Sequence, residues 1–175
     1  MGKITQPQPV KLIVGFIAAD LEILRRAEKS LVGHFGETDY ASDIFYFNQT
    51  DYYEEEMGIN LKRKFLSFSR LVQPEQLPEI KLYTNELEKE LSDTKSRRKI
   101  NIDPGYITAA KLVLATTKDY QHRLYLADGI FAEVTLRFKD GSFRSWEWTY
   151  PDYKTEQYIA VFNDIRRLYL KQSEK

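Results

Sequence analysis

The run Leu12-Ile-Val-Gly-Phe-Ile-Ala18 is continuously apolar and rich in β-branched side chains. That is the pattern of a strand covered on both faces, and so central in its sheet. Apolar positions then recur at Leu24, Ala27, Leu31 and Phe35, the spacing of one helical face, which predicts a helix over 21–35. Asp20 precedes it as an N-cap, and Gly36 follows where a left-handed cap needs no Cβ. Residues 44–47 (Ile-Phe-Tyr-Phe) read as a second strand, leading into the acidic, polar segment 48–58. Residues 61–72 read as a third, because Leu66 and Phe68 alternate with Ser67 and Ser69. Pro74 opens a second helix, with Pro78 early enough to be tolerated. Leu77, Ile80, Thr84, Leu87 and Leu91 form its stripe.

The polar, basic stretch 92–99 reads as an exposed loop and 100–102 as a short strand. Asp103-Pro-Gly-Tyr106 carries the residues of a type II turn, with Pro at the second position and Gly at the third. Residues 112–117 read as a strand. An antiparallel meander is predicted over 124–126, 130–139 and 142–148, with turns at Asp128-Gly129 and Asp140-Gly141. In its middle strand Ile130, Ala132, Val134, Leu136 and Phe138 should share one face. Tyr150-Pro-Asp152 breaks the sheet, and 155–170 form a closing helix with Tyr158, Val161, Phe162, Ile165, Leu168 and Tyr169 inward. The order predicts an α+β fold: a ferredoxin-like split βαβ start, extended by the meander and the closing helix. Residues 1–10 are read as a flexible tail and 11–171 as a single domain.

Composition narrows the chemistry more than the fold. The 175 residues carry 26 Lys plus Arg against 26 Asp plus Glu, so no net charge points to nucleic acid or an anionic membrane. With no cysteine and two histidines, disulfides, thiolate metal sites, a cysteine nucleophile and a His-rich metal site are excluded. No apolar stretch approaches the ~20 residues of a membrane span, and the polar, proline-bearing start lacks a targeting pattern. A cytoplasmic location and no membrane partner are therefore expected; no oligomeric state follows. Twelve Tyr, ten Phe and two Trp are many, and suit either a ring-built core or an aromatic-lined surface.

Three constellations can carry chemistry. The first is acidic. Asp51, Glu54 and Glu55, beside Glu56, fall in one short segment, and Asp103 follows in its expected turn. Clustered carboxylates bind Mg²⁺ or Mn²⁺, or raise one another's pKa to supply an acid; the alternative is a solvated acidic face. The second follows the strand at 112–117. Lys118 and His122 are candidates there beside Asp103 for acid–base work, and Arg123 for ligand binding, against the plainer account of a surface histidine at a turn. Tyr52, Tyr53 and Tyr106 complete the ligand-binding candidates. The third interleaves Lys62, Arg63, Lys64 and Arg70 with Phe65 and Phe68, the composition of a single-strand nucleic-acid platform or of an edge strand guarded by charge. Trp146 and Trp148, two apart, should face one side of a strand beneath the closing helix. The preferred reading is a small-molecule-binding protein or enzyme with a carboxylate-rich polar cleft, divalent-metal-dependent through Asp51, Glu54 and Glu55. The rival is a non-catalytic RNA- or protein-interaction module using the Lys62–Arg70 strand or exposed aromatics.

Several phrases go beyond pattern: Thr50-Asp-Tyr-Tyr-Glu-Glu-Glu-Met-Gly58, Asn101-Ile-Asp-Pro-Gly-Tyr106, Lys111-Leu-Val-Leu-Ala-Thr-Thr-Lys-Asp119, Asp128-Gly-Ile-Phe-Ala-Glu-Val-Thr-Leu136 and Trp148-Thr-Tyr-Pro-Asp-Tyr153. Together they resemble a bacterial domain-of-unknown-function family over nearly the whole chain. The resemblance implies a stand-alone bacterial protein and assigns no activity, cofactor or catalytic residue.

Overall fold

The computed structural model describes residues 2–48, 53–92 and 97–173, without the side chains of Glu54 and Glu55. Strand β1 is Val10–Ala18, and all nine of its residues are buried, as a continuous apolar run requires. Helix α1, Leu21–Phe35, has the predicted bounds: the Asp20 carboxylate accepts from the Glu22 N–H, and Gly36 leaves the helix at φ 93°. Strands β2 (Thr38–Ala41) and β3 (Phe45–Tyr46) and the single-turn helix α2 (Glu54–Met57) lead to the long strand β4, Lys62–Val72. A 3-10 turn at Pro74–Gln76 starts helix α3, Leu77–Glu90. Strands β5 (Ile100–Ile107), β6 (Lys111–Thr116), β7 (Arg123–Ala127), β8 (Ile130–Lys139) and β9 (Ser142–Ser145) follow, then helix α4, Glu156–Ser173.

Among the described residues, nine strands form one sheet in the order β2-β4-β1-β5-β6-β8-β7, with β3 also on β4 and β9 also on β8. Every pairing is antiparallel. The architecture is thus α+β. Alternation along β1 divides the core between two faces. Leu12, Val14 and Phe16 pack with Leu24, Ala27 and Leu31 of α1 and Ile80 and Leu87 of α3. Ile13 and Phe65 pack on the opposite face with Tyr158, Val161, Phe162 and Ile165 of α4. Among the described residues no helix is long and apolar enough to cross a membrane.

Four expectations need correction. Asp103-Pro-Gly-Tyr106 is not a turn but the second half of β5, paired along β1 from Ile100 to Ile107. The stripe from Ile130 to Phe138 does not keep one face. The register on β6 jumps from Leu112↔Leu136 to Val113↔Val134, so Thr135 is an extra residue and a bulge reverses the alternation. Ile130, Ala132 and Val134 therefore pack with Leu77 and Val113, whereas Leu136 and Phe138 join the α4 side. Strand β9 ends at Ser145, so Trp146 and Trp148 lie beyond it. They still stack, with centroids 5.1 Å apart, between Arg137 on one side and the His122 ring on the other. Lastly, the expected tail loses its final residue to β1, and the Pro9 carbonyl accepts from the Tyr169 hydroxyl at 3.1 Å.

Candidate functional site

Strands β5 and β6 are bonded neighbours over only three pairs, Ile107↔Leu112, Tyr106↔Val113 and Gly105↔Leu114. The Thr108 N–H donates to the Lys111 carbonyl at 2.9 Å, and antiparallel alternation then turns the backbone groups of residues 106, 104 and 102 toward β6. Residue 104 is proline and has no N–H to give, so the ladder fails there. Gly105 just before the break is tightly fitted: a Cβ on it would lie 2.3 Å from the Val113 carbonyl oxygen. Beyond the break α3 replaces the missing strand. Glu88 Oε1 accepts from the Ile102 N–H at 2.5 Å, and Lys81 Nζ donates to the Ile102 carbonyl at 2.9 Å. Both backbone groups are buried and need partners, and two side chains of one helix supply them.

The parting opens a cleft of about 560 Å³, within the ~300–1,000 Å³ usual for small-molecule sites. Arg63 of β4 lines it while only 1% exposed. Its NH2 lies 3.2 Å from Asp152 Oδ2 and its NH1 3.5 Å from Asp103 Oδ2. The guanidinium rests against the rings of Phe65 and Tyr153, at 4.9 and 5.0 Å from their centroids. Its Nε and NH1, and the buried Tyr153 hydroxyl, have no hydrogen-bond partner. Asp103 also accepts from Asn101 Nδ2 at 2.6 Å and stands 3.8 Å from Lys81 Nζ. Above them lie Phe47 and Tyr53, with Arg98 5.6 Å from the Tyr53 centroid and ion-paired to Glu56 at 2.7 Å. Thr116, Thr117, Lys118, Glu133 and Tyr150 form the far wall.

Burial dominates the titration of this lining. It raises the Asp152 carboxyl above its ordinary value, an effect Arg63 opposes without cancelling. Glu88 is likewise raised by burial, against Lys81 and its bond from Ile102. For Arg63 burial acts to lower the pKa, but Tyr153, Asp152 and Asp103 together carry it upward, so the guanidinium stays charged. Burial also lifts the lining phenols of Tyr53, Tyr150 and Tyr153 above the ordinary range.

A family model described as "Domain of unknown function (DUF4416)" matches residues 8–169, from before β1 into the last turns of α4. The chain belongs to the DUF4416 family. No curated protein and no solved structure matches it.

Of the residues singled out in this DUF4416 chain, Asp103, Lys118 and Tyr53 line the cleft. His122 and Arg123 stand behind its wall. His122 Nε2 is 3.0 Å from Glu133 Oε2, and Arg123 Nε donates to the same oxygen at 3.0 Å while its NH2 reaches the Tyr150 hydroxyl at 2.6 Å. Tyr106 is not part of the site: it faces the other side of the sheet, against the cluster of Leu77, Val113 and Ile130. Asp51 and Tyr52 lie outside the described residues. Glu54 and Glu55 fall in α2, with side chains outside the described part. Among the described residues no group of three or more His, Asp or Glu side chains is placed to hold a metal ion. The basic–aromatic strand is neither an edge nor a platform. Strand β4 lies inside the sheet, Phe65 and Phe68 are fully buried, and Lys64 pairs with Glu28 at 2.6 Å. Pattern reading put Arg63 in the basic strand and Asp152 in a sheet break rather than in a cleft, and missed Lys81, Glu88 and Glu133. One signal was available for two of these: Lys81, Thr84 and Glu88 fall at helical spacing beside the apolar stripe of α3, a polar row that a buried face has to satisfy.

Proposed function

We propose that this DUF4416 chain binds a small polar molecule in the cleft between β5 and β6, and that Asp103 and Lys118 act on it there. The observation that carries this reading is the buried Arg63, which lines a cavity of ligand size between two carboxylates and keeps two of its nitrogens without a hydrogen bond. Buried donors are seldom left unsatisfied, and a bound water or ligand in the adjoining cleft would supply the acceptor. Asp103 is suited to orient or deprotonate a bound hydroxyl or water. Lys118 is suited to stabilise negative charge developing beside it. His122 acts through Glu133, which lines the same wall.

The divalent-metal part of the reading stays attached to Asp51, Glu54 and Glu55, with Mg²⁺ or Mn²⁺ as the ion. Its support is local: Tyr53 and Glu56, from the same short segment, stand over the cleft and against Arg98. We read residues 11–171 as one cytoplasmic α+β domain. The order β2-β4-β1-β5 with α1 and α3 against one face supports a ferredoxin-like split βαβ start.

A thermal-shift screen against divalent metals, nucleotides and sugar phosphates tests the reading. A ligand at a hundredfold over its Kd adds about 2.7 kcal/mol of stability. In a chain of this size that is a rise of several degrees, roughly 2–4 °C per kcal/mol. Asp103→Asn should remove the rise while the protein stays folded. Shifts that all persist in the Asp103→Asn protein would refute the site.

The sheet's outer strand supports the second reading, an interaction module. Leu124, Tyr125 and Leu126 of β7, with Tyr120 before it, are exposed large side chains at the unpaired end of the sheet. Loss of partner capture in a Leu124→Asp, Tyr125→Asp double variant, with ligand binding intact, would favour it.

A further inference from the structure

The mixture of groups at the cleft floor restricts the kind of molecule that fits, given that the cleft is a ligand site as proposed above. Arg63 NH1 and Nε and the Tyr153 hydroxyl are buried without a hydrogen bond, NH1 having only its 3.5 Å ion pair with Asp103. Within 3.5 Å of the same guanidinium stand two carboxylates, those of Asp103 and Asp152. A ligand atom that reaches Arg63 NH1 therefore also meets carboxylate oxygens.

Three ligand chemistries respond differently to that arrangement. A carboxylate or phosphate oxygen accepts from Arg63 but is repelled by Asp103 and Asp152 at closest approach. An ammonium group suits the carboxylates but is repelled by Arg63 and leaves its donors unmatched. A hydroxyl does both: its oxygen accepts from a guanidinium or phenol, and its proton goes to a carboxylate. The wider lining repeats this logic. Arg63, Lys81, Arg98 and Lys118 face Glu88, Asp103, Glu133 and Asp152, four cations against four carboxylates among the described residues, so no net field draws a multiply charged ion. Asn85, Asn101, Thr116 and Thr117 each offer both a donor and an acceptor. Phe47, Tyr53 and Tyr150 add rings on which an apolar C–H face can rest.

We infer that the cleft takes a neutral polyhydroxylated molecule of sugar size, with one hydroxyl seated between Arg63, Asp103 and Asp152. Neighbouring hydroxyls would be read by Asn101 and the α3 wall, and the carbon skeleton would lie against Tyr53. This ligand class belongs to the proposed site, and it can fail while that site still stands.

The test is a binding panel on the full chain, read by thermal shift and by isothermal titration. One arm holds neutral polyols: glucose, galactose, ribose, mannitol and myo-inositol. Separate arms hold inorganic phosphate, succinate, a diamine and Mn²⁺. All are run at low millimolar concentration, and each is repeated with Asp103→Asn, whose fold is checked by circular dichroism. The expected result is saturable binding of at least one neutral polyol, weakened at least tenfold in Asp103→Asn, with no response in the phosphate, succinate or diamine arms. Asp103-dependent binding of phosphate, succinate, diamine or Mn²⁺ in place of any polyol overturns the inference and leaves the cleft as a ligand site. A polyol shift equal in both proteins is solvent exclusion from the surface and also overturns it. Absence of an Asp103-dependent response in every arm overturns the inference and the proposed site together. Should Asp103→Asn fail to fold, Asn101→Ala serves in its place.

Discussion

Removing the Glu88 carboxylate should cost the protein stability even though that group sits on the wall of a cleft and not in the apolar core. Glu88 Oε1 is the acceptor for the Ile102 N–H at 2.5 Å, and Ile102 is fully buried. In Glu88→Ala that amide loses its partner on the side where β6 has already left. An orphaned buried amide costs ~1–3 kcal/mol. Alanine returns a few tenths, about 0.4 kcal/mol, through helix propensity, and water entering the cleft keeps the cost from the top of the range. The expected net loss is about 2 kcal/mol, or roughly a 4–8 °C fall in Tm for a chain of this length. Glu88→Gln keeps an oxygen acceptor in place and removes only a charge that burial already disfavours. It should therefore melt close to the parent. Amide hydrogen exchange at Ile102, read by NMR, locates the effect: protection should fall in the Ala variant and persist in the Gln variant. If the two variants melt together, or Ile102 stays protected in Glu88→Ala, α3 does not cap the parted strand and the account of the open sheet is wrong.

Gly105→Ala should destabilise by roughly 1–3 kcal/mol, as overpacking does, because its Cβ would sit 2.3 Å from the Val113 carbonyl oxygen; a melting curve unchanged from the parent would contradict the close approach. Arg63→Met should cost about 3–5 kcal/mol, since it leaves the buried Asp152 carboxyl without its guanidinium, and a urea titration showing a loss under 1 kcal/mol would argue against a true ion pair. Asp152 gives a pH signature. Its folded-state pKa is raised above the ordinary 3.8, so the folded protein holds that proton more tightly than the unfolded chain. The associated stability is full below the unfolded value and is lost as pH rises through the folded one. Asp152→Asn cannot titrate and should gain on the parent as pH rises through that window; Tm curves that run parallel from acid to neutral pH would refute the shift.

The parts of the fold set by local chemistry were readable. Helix α1 was legible to the residue because its caps, Asp20 and Gly36, carry their own geometry. Strand β1 was legible because its doubly covered stretch from Leu12 to Ala18 has no polar side chain. Asp103-Pro-Gly-Tyr106 was misread because a Pro-Gly pair is a turn signal in isolation, whereas here pairing with β1 holds it extended and the proline acts on the other edge. The bulge at Thr135 has no side-chain signature, so the face change in β8 was hidden. In the site, Lys118 was legible as a polar residue at the end of an apolar run, whereas Asp103 was singled out through a turn that the chain does not make. The Arg63–Asp152 pair was not, since its partners are far apart in sequence and nothing in a strand pattern says which charge will be buried.

The stack of Arg137, Trp146, Trp148 and His122 has a spectroscopic consequence. The chain has two tryptophans, and both are in that stack. All intrinsic tryptophan emission therefore arises from one spot on the molecule. The Trp148 indole lies 5.3 Å from the His122 ring, and that ring is bonded to Glu133 on the cleft wall. The protein thus carries a built-in optical probe beside the cleft wall, and a change in packing at that spot can be followed without a label or a substitution.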